Sequence, residues 1–181
     1  MEKCEHFVKS SGRNRCEIGS AQGRQTLSIP IAGGRGQQLA ITAVQIANDK
    51  NWQRQHWHAL QTAYGKAPYF EDYAPYFEPF FAKTYTQLWD FNLELLQMCL
   101  KLLHLPIQPE FTSAYEKSVI ENLFDFRNQK MIRLNSQKPY YQGFTEQTGF
   151  LTDLSILDLL FQLGPESKAY LQSCVHQEKS A

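Results

Sequence analysis

Between Thr84 and His104 the chain is largely apolar, and most of its polar residues fall on one line: Gln87, Asp90, Glu94, Gln97, Lys101 and His104 recur at intervals of three and four. That spacing is the repeat of an α-helix with a single wetted stripe. Leu88, Trp89, Phe91, Leu95, Met98 and Cys99 are among the residues that fill the rest of the circumference. A helix of this kind must be covered by other elements on most of its surface. The stretch therefore predicts a long buried spine without chemistry of its own. At 181 residues and 43% hydrophobic, the chain has enough apolar material for one core around it, so residues 1–181 are expected to form a single domain.

The N-terminal third supplies strands. Asn14, Cys16 and Ile18 alternate with Arg13, Arg15 and Glu17, then Gly19 to Gly23 (GSAQG) make a turn, and Leu27, Ile29 and Ile31 alternate with Thr26, Ser28 and Pro30. This is a β-hairpin pattern. Pro30 removes a ladder donor, so that end belongs at an edge or a bulge. Arg13 and Arg15 project from one face, two residues apart: either they clamp an anionic group between them or they are charges on an edge strand that discourage aggregation. The loop at Gly33-Gly34-Arg35-Gly36 has freed backbone N–H groups and a guanidinium, which suits a phosphate, though a flexible turn accounts for it equally. Ile41 to Ala47, with Val44 and Ile46, is expected to be a third strand.

A second helix is expected from Lys50 to Tyr64, capped by Asn48 or Asp49 and stopped at Gly65. A helical projection puts Trp52, His56, Trp57, Leu60 and Tyr64 on one face and Arg54, His58 and Gln61 on the other. His56 and His58 diverge by about 200°, so they cannot share a metal ion. An imidazole buried among tryptophans suits a general base, and a core histidine satisfied by one hydrogen bond has the same pattern.

After Gly65 comes a dense aromatic segment in which Pro68, Pro75 and Pro79 restrict helices to short pieces. Phe77, Phe80 and Phe81 are expected inward, while Tyr69, Tyr73 and Tyr76 are the rings available to a cleft. Beyond the spine, Glu110 to Tyr115 suggests a short strand, Tyr115 to Asn128 a weaker helix followed by Arg127, Lys130 and Arg133, and Lys138 to Phe144 another strand. Asp153 or Ser155 caps a helix ending at Gly164-Pro165, with Asp158 placed three residues after Ser155 as in a capping box. Glu166 to Val175 forms the last helix. The fold class expected is α/β (or α+β): a small, mainly antiparallel sheet packed on the long helix and several shorter ones.

Composition narrows the function. Eighteen basic residues balance eighteen acidic ones, which disfavours nucleic acid and anionic membranes as partners. Locally, residues 1–50 hold seven basic and four acidic side chains, a net +3. Cys4, Cys16, Cys99 and Cys174 lack metal-site spacing and are expected to be reduced thiols. With no signal-like N-terminus and no apolar run of about 18 residues, a cytoplasmic protein is expected.

Several blocks taken together are more specific than any motif: KSSGRNRC, LSIPI followed by GGR, NWQRQHWHALQTAYGKAPYFEDY, and KPYYQGF followed by GFLTDLSILDLLFQLGPES. In that order, from about residue 4 to residue 171, they resemble the WbqC-like protein family. The resemblance implies a place in bacterial surface-polysaccharide (O-antigen) biosynthesis. It also implies a transferase, in the acyl or aminoacyl (glycine) sense, acting on a nucleotide-activated sugar or related precursor; a non-catalytic binding or assembly protein of the same pathway is the alternative. It points to Lys9, Arg13, Asn14, Arg15, Arg35, Trp52, His56, Tyr64, Gln142, Ser155 and Asp158. In the enzyme reading, His56 takes the proton, the arginines hold phosphate, and Trp52 and Tyr69 stack on a ring. No cofactor or metal is implied. The family commonly begins with a further strand ahead of the block at Cys4, so the resemblance implies here either a start placed late or a sheet lacking that strand.

Overall fold

The fold is taken from a computed structural model, which describes residues 1–33, 39–115 and 137–178. The loop at Gly34 to Gln38 with Arg35, and the helix and basic residues expected between Glu116 and Ser136, lie outside the described residues. The class is as expected: a two-stranded antiparallel sheet near the N-terminus surrounded by helices.

Strands β1 (Arg15–Ser20) and β2 (Gly23–Ser28) pair with Cys16 opposite Leu27 and Ser20 opposite Gly23, around a tight turn at Ala21-Gln22. Pairing stops at Ser28, short of Pro30, whose carbonyl instead accepts from the Ala47 N–H. The third strand expected at Ile41 to Ala47 does not form. Ile41–Ala43 is a 3₁₀ turn, and the rest makes single bridges, Ile46 to Ile31 and Gln45 to Gln87. The buried residues Ile41, Val44 and Ile46 are spaced by three and then two, so no continuous two-residue alternation holds a ladder.

Helix α1 (Trp52–Tyr64) buries Trp52, His56, Leu60 and Tyr64, one line of residues four apart. Its start differs from the expected cap. Asn51 occupies that position in a left-handed conformation (φ 48°), which Asn tolerates better than most residues. Asn48 works elsewhere: its Nδ2 donates to the Tyr85 carbonyl and its Oδ1 accepts from the Trp52 indole.

Helix α2 (Phe70–Ala82) runs unbroken through Pro75 and Pro79, against the expectation of short pieces. Both prolines are exposed and lie one turn apart on the outer face. The carbonyls they leave without an N–H therefore face water, and burial of Phe77 and Phe80 on the inner face outweighs the loss. Helix α3 (Leu88–Leu102) is the expected spine with its stripe of Asp90, Glu94, Gln97 and Lys101 exposed, but it is shorter and less enclosed than expected. Only Leu88, Phe91 and Cys99 within it are fully buried.

The segments at Glu110 to Tyr115 and Lys138 to Phe144 are not strands. In the second, the Gln142 side chain replaces a ladder: its Nε2 donates to the Leu151 carbonyl and its Oε1 accepts the Leu151 N–H, each at 2.9 Å. A short α4 (Thr145–Thr148) leads to α5 (Ile156–Leu163) and α6 (Ser167–Glu178). Ser155 caps α5, its Oγ accepting from the Leu157 N–H. Gly164 ends it at φ 52°, and the Tyr69 ring lies so close that a Cβ there would meet it at 2.6 Å.

Two apolar clusters result. One gathers Ile18, Leu27, Leu60, Tyr64, Phe77 and Phe161. The other gathers Ile29, Val44, Trp52, Tyr85, Leu88 and Phe91. Helix α1 contributes Trp52 to the second and Leu60 and Tyr64 to the first, so His56 stands at the seam.

Candidate functional site

At that seam is a cavity of about 150 Å³. The hairpin and the turn before it bring Gly12, Arg13, Asn14, Arg15, Cys16 and Leu27 to its wall, and α1 brings His56 and Leu60. Phe91, Asn92, Leu95 and Cys99 come from α3, and Ser155, Ile156 and Leu157 from the start of α5. The positively charged ribbon and the imidazole thus share one cavity.

His56 is 9% exposed. Burial depresses its pKa from 6.5 to about 4, against which a hydrogen bond to the Ser28 carbonyl acts. One ring nitrogen therefore carries the proton donated to Ser28 and the other is an acceptor at neutral pH. Trp52 meets the imidazole edge to face at 5.2 Å between centroids. His58, as the helical projection requires, is exposed on the far side. Asn14 is buried, donating from Nδ2 to the Ile29 carbonyl at 3.1 Å.

The arginines differ from one another. Arg13 lies ahead of β1, and its Nε and Nη2 each reach Glu5 at 2.6 Å, a bidentate ion pair only 15% and 14% exposed. Arg15 starts β1, is exposed, and donates from Nε to the Ser28 hydroxyl at 3.3 Å. They do not project as a symmetrical clamp: Glu5 holds one guanidinium and Ser28 receives the other. Lys9 is exposed.

Trp52, Tyr64, Tyr69 and Gln142 lie outside the cavity wall. Trp52 is core, and Tyr69 packs on Gly164. Tyr64 and Gln142 belong to a second buried polar group centred on Asp158. The Tyr140 hydroxyl donates to Asp158 Oδ2 at 2.5 Å, Gln142 Nε2 reaches the same oxygen at 3.3 Å, and Tyr64 adds a further hydrogen bond. The Tyr64 oxygen also accepts the Gly19 N–H at 3.1 Å. Burial raises the Asp158 pKa, with the three side-chain hydrogen bonds opposing it. The capping box expected at Ser155 and Asp158 is therefore not made: the carboxylate turns inward to tie the hairpin, α1 and the 137–142 segment together.

Among the wall residues not singled out from sequence as site residues, Asn92, Cys99 and Cys16 have side chains that bear on its chemistry. Asn92 donates from Nδ2 to the Arg13 carbonyl at 2.7 Å and so holds the turn before β1; its sequence signal is a polar residue lying off the stripe of α3. Cys99 is buried, and burial pushes its thiol up to about 12. The thiol of Cys16 is raised to about 11 by burial, with a hydrogen bond to Ser155 opposing. Neither is activated as a nucleophile at neutral pH. Among the described residues no group of three or more His, Cys, Asp or Glu is placed to hold a metal ion, and no helix is long and apolar enough to cross a membrane.

The fold and site define a mixed helix-and-hairpin protein organised round a buried, neutral histidine beside a small cavity. The chain belongs to the WbqC-like protein family, whose sequence profile matches residues 2–133. It is 25% identical over 204 residues to the uncharacterized protein Rv1507c of Mycobacterium tuberculosis, covering 93% of this chain and 84% of that protein. No solved structure was found to match it.

Proposed function

We propose that this chain is a cytoplasmic transferase, in one domain over residues 1–181, that acts on a nucleotide-activated sugar or related precursor of bacterial surface polysaccharide. The pathway follows from the family resemblance. The observation that carries the chemistry is a neutral imidazole, fixed by the Ser28 carbonyl, on the wall of a cavity shared with the Arg13–Cys16 segment.

In the transfer, the lone pair of an attacking amine or hydroxyl forms the new bond to an acyl carbon. His56 takes the proton that this nitrogen or oxygen loses, and the bond to the leaving group breaks with its electron pair. Burial makes the imidazole a weak base, so the proton moves late, as the nucleophile becomes acidic. The cavity, at about 150 Å³, is below the roughly 300–1,000 Å³ of sites that enclose a drug-sized ligand. Only the reacting end enters it, and the nucleotide lies outside, on the exposed side of Arg15.

The test is a thermal-shift screen of sugar nucleotides, followed by mass spectrometry of the hits incubated with amine and hydroxyl acceptors. A His56→Ala variant that keeps its circular dichroism spectrum is expected to lose turnover by about 10²–10⁴; unchanged turnover removes the base assignment. The second reading, a binding or assembly protein, is favoured by the engagement of Arg13 with Glu5, which withdraws one cation from phosphate binding. It is distinguished by saturable binding with no product.

A further inference from the structure

The lining of the cavity restricts which group it can transfer. Of the wall residues only Gly12 and Arg15 are exposed, so the opening lies beside the turn before β1. The buried part of the wall is made mostly of Leu27, Ile29, Leu60, Phe91 and Leu157.

The charges on that wall have one sign. Arg13 and Arg15 line it, and no Asp or Glu does among the described residues. Glu17 and Asp158, next in sequence to wall residues, are engaged elsewhere: Glu17 pairs with Arg24, and Asp158 accepts from Tyr140, Gln142 and Tyr64. Glu5 is held by Arg13. An ammonium inside would find the lone pair of His56 for one of its N–H groups and no counter-charge, which strongly disfavours it. An anion has a partner at the opening, the exposed Arg15 guanidinium, and only an apolar surface deeper in. The space therefore sorts its occupant end to end, with carbon inside and polar or anionic groups at Arg15.

Resting on the transferase reading of the same site, we propose that this cavity is the pocket for the acyl group being transferred, and that it selects a short uncharged acyl chain over an aminoacyl group such as glycyl. A volume of about 150 Å³ matches that of a cavity known to hold benzene, which sets the acyl group at up to about six non-hydrogen atoms. The chain lies on Leu27, Leu60 and Leu95, and the activated carbonyl points to the opening, where the attacking amine or hydroxyl meets it. The lone pair of that group forms the bond to the carbonyl carbon, the leaving group departs with the electron pair of its own bond, and the proton passes to His56.

Propionamide and glycinamide are isosteric, the methyl of the first replaced by the ammonium of the second. Each is titrated into full-length protein carrying ¹³C-labelled leucine methyls, at about pH 6.5. That is below the range of an α-amino group, roughly 7.7–8.0, and above the value of about 4 at His56. Propionamide is expected to saturate the shifts of the Leu60 and Leu95 methyls, with an affinity about tenfold or more above that of glycinamide. Octanamide, whose chain is too long for the cavity, is expected to leave them unchanged. Leu95→Phe narrows the cavity and is expected to abolish the propionamide shift at Leu60; should that variant fail to fold, the comparison of the two amides on the parent chain still decides.

Glycinamide binding as tightly as propionamide, no saturable shift with propionamide, or an equal shift with octanamide would each overturn the proposal. Propionyl and glycyl thioesters of N-acetylcysteamine are then compared as donors to the sugar nucleotides that bind, with thiolate as the leaving group. Propionyl transfer is expected to be about tenfold or more the faster. Glycyl transfer that depends on His56 and is equally fast would sink the acyl selectivity alone. Selectivity for propionamide with no transfer from either thioester would sink the transferase reading and leave a pocket for an uncharged ligand standing.

Discussion

Acidification should destabilise this protein through His56, and the size of the effect follows from its surroundings. In the unfolded chain the imidazole titrates near 6.5, while in the fold burial holds it at about 4. A depressed folded value means that the stabilisation is complete above the unfolded pKa and is lost as pH falls through the window from 6.5 to about 4. Integrated over that window the loss is about 3 kcal/mol, a large share of the roughly 5–15 kcal/mol that holds a domain together. Asp158 works in the opposite sense: its pKa is raised, so its contribution is present in acid and is lost as pH rises through its folded value. The two are separated by comparing the parent with His56→Gln, which keeps a donor for the Ser28 carbonyl but does not titrate. Urea unfolding at several pH values between about 7 and 4 should show the stability difference between parent and variant changing by about 3 kcal/mol across the window. A difference that stays flat, or an NMR titration placing the imidazole at its ordinary value, would refute the buried, neutral assignment.

Three further outcomes test the supporting structure. Tyr64→Phe leaves the Gly19 N–H without its acceptor and removes one donor from Asp158, so it should cost about 2–4 kcal/mol and lower Tm by roughly 5–15 °C in a thermal melt. A double-mutant cycle of Arg13→Ala and Glu5→Ala should return a coupling of about 1 kcal/mol at low salt, since the pair is bidentate and mostly covered; zero coupling would show that Glu5 does not hold the guanidinium. Pro75→Ala should raise Tm by a few degrees, because it restores an N–H to the outer face of α2 and disturbs no buried contact; a fall in Tm would show that the proline shapes the helix.

Much of the candidate site was legible before any coordinates. The single line of Trp52, His56, Leu60 and Tyr64 is a property of helical periodicity, so the inward histidine and the outward His58 needed no tertiary information. The same holds for the stripe on α3 and for the hairpin from Arg15 to Ser28. The failures share a cause. Ile41 to Ala47 and Lys138 to Phe144 have strand-like composition, but a strand exists only if a partner lies alongside. One segment meets isolated bridges and the other is held by the side chain of Gln142. Asp158 stands at a capping-box position, yet Tyr140 and Tyr64 offer it hydrogen bonds in a buried setting that an exposed cap would not.

What the chain by itself determined was which residues turn inward, because local periodicity decides faces without reference to distant partners. Which inward residues meet was settled only by the tertiary structure. His56 comes to a cavity with Asn14 because two apolar clusters meet along α1 without fully closing, and Arg13 turns to Glu5 because the turn before β1 brings that carboxylate within reach.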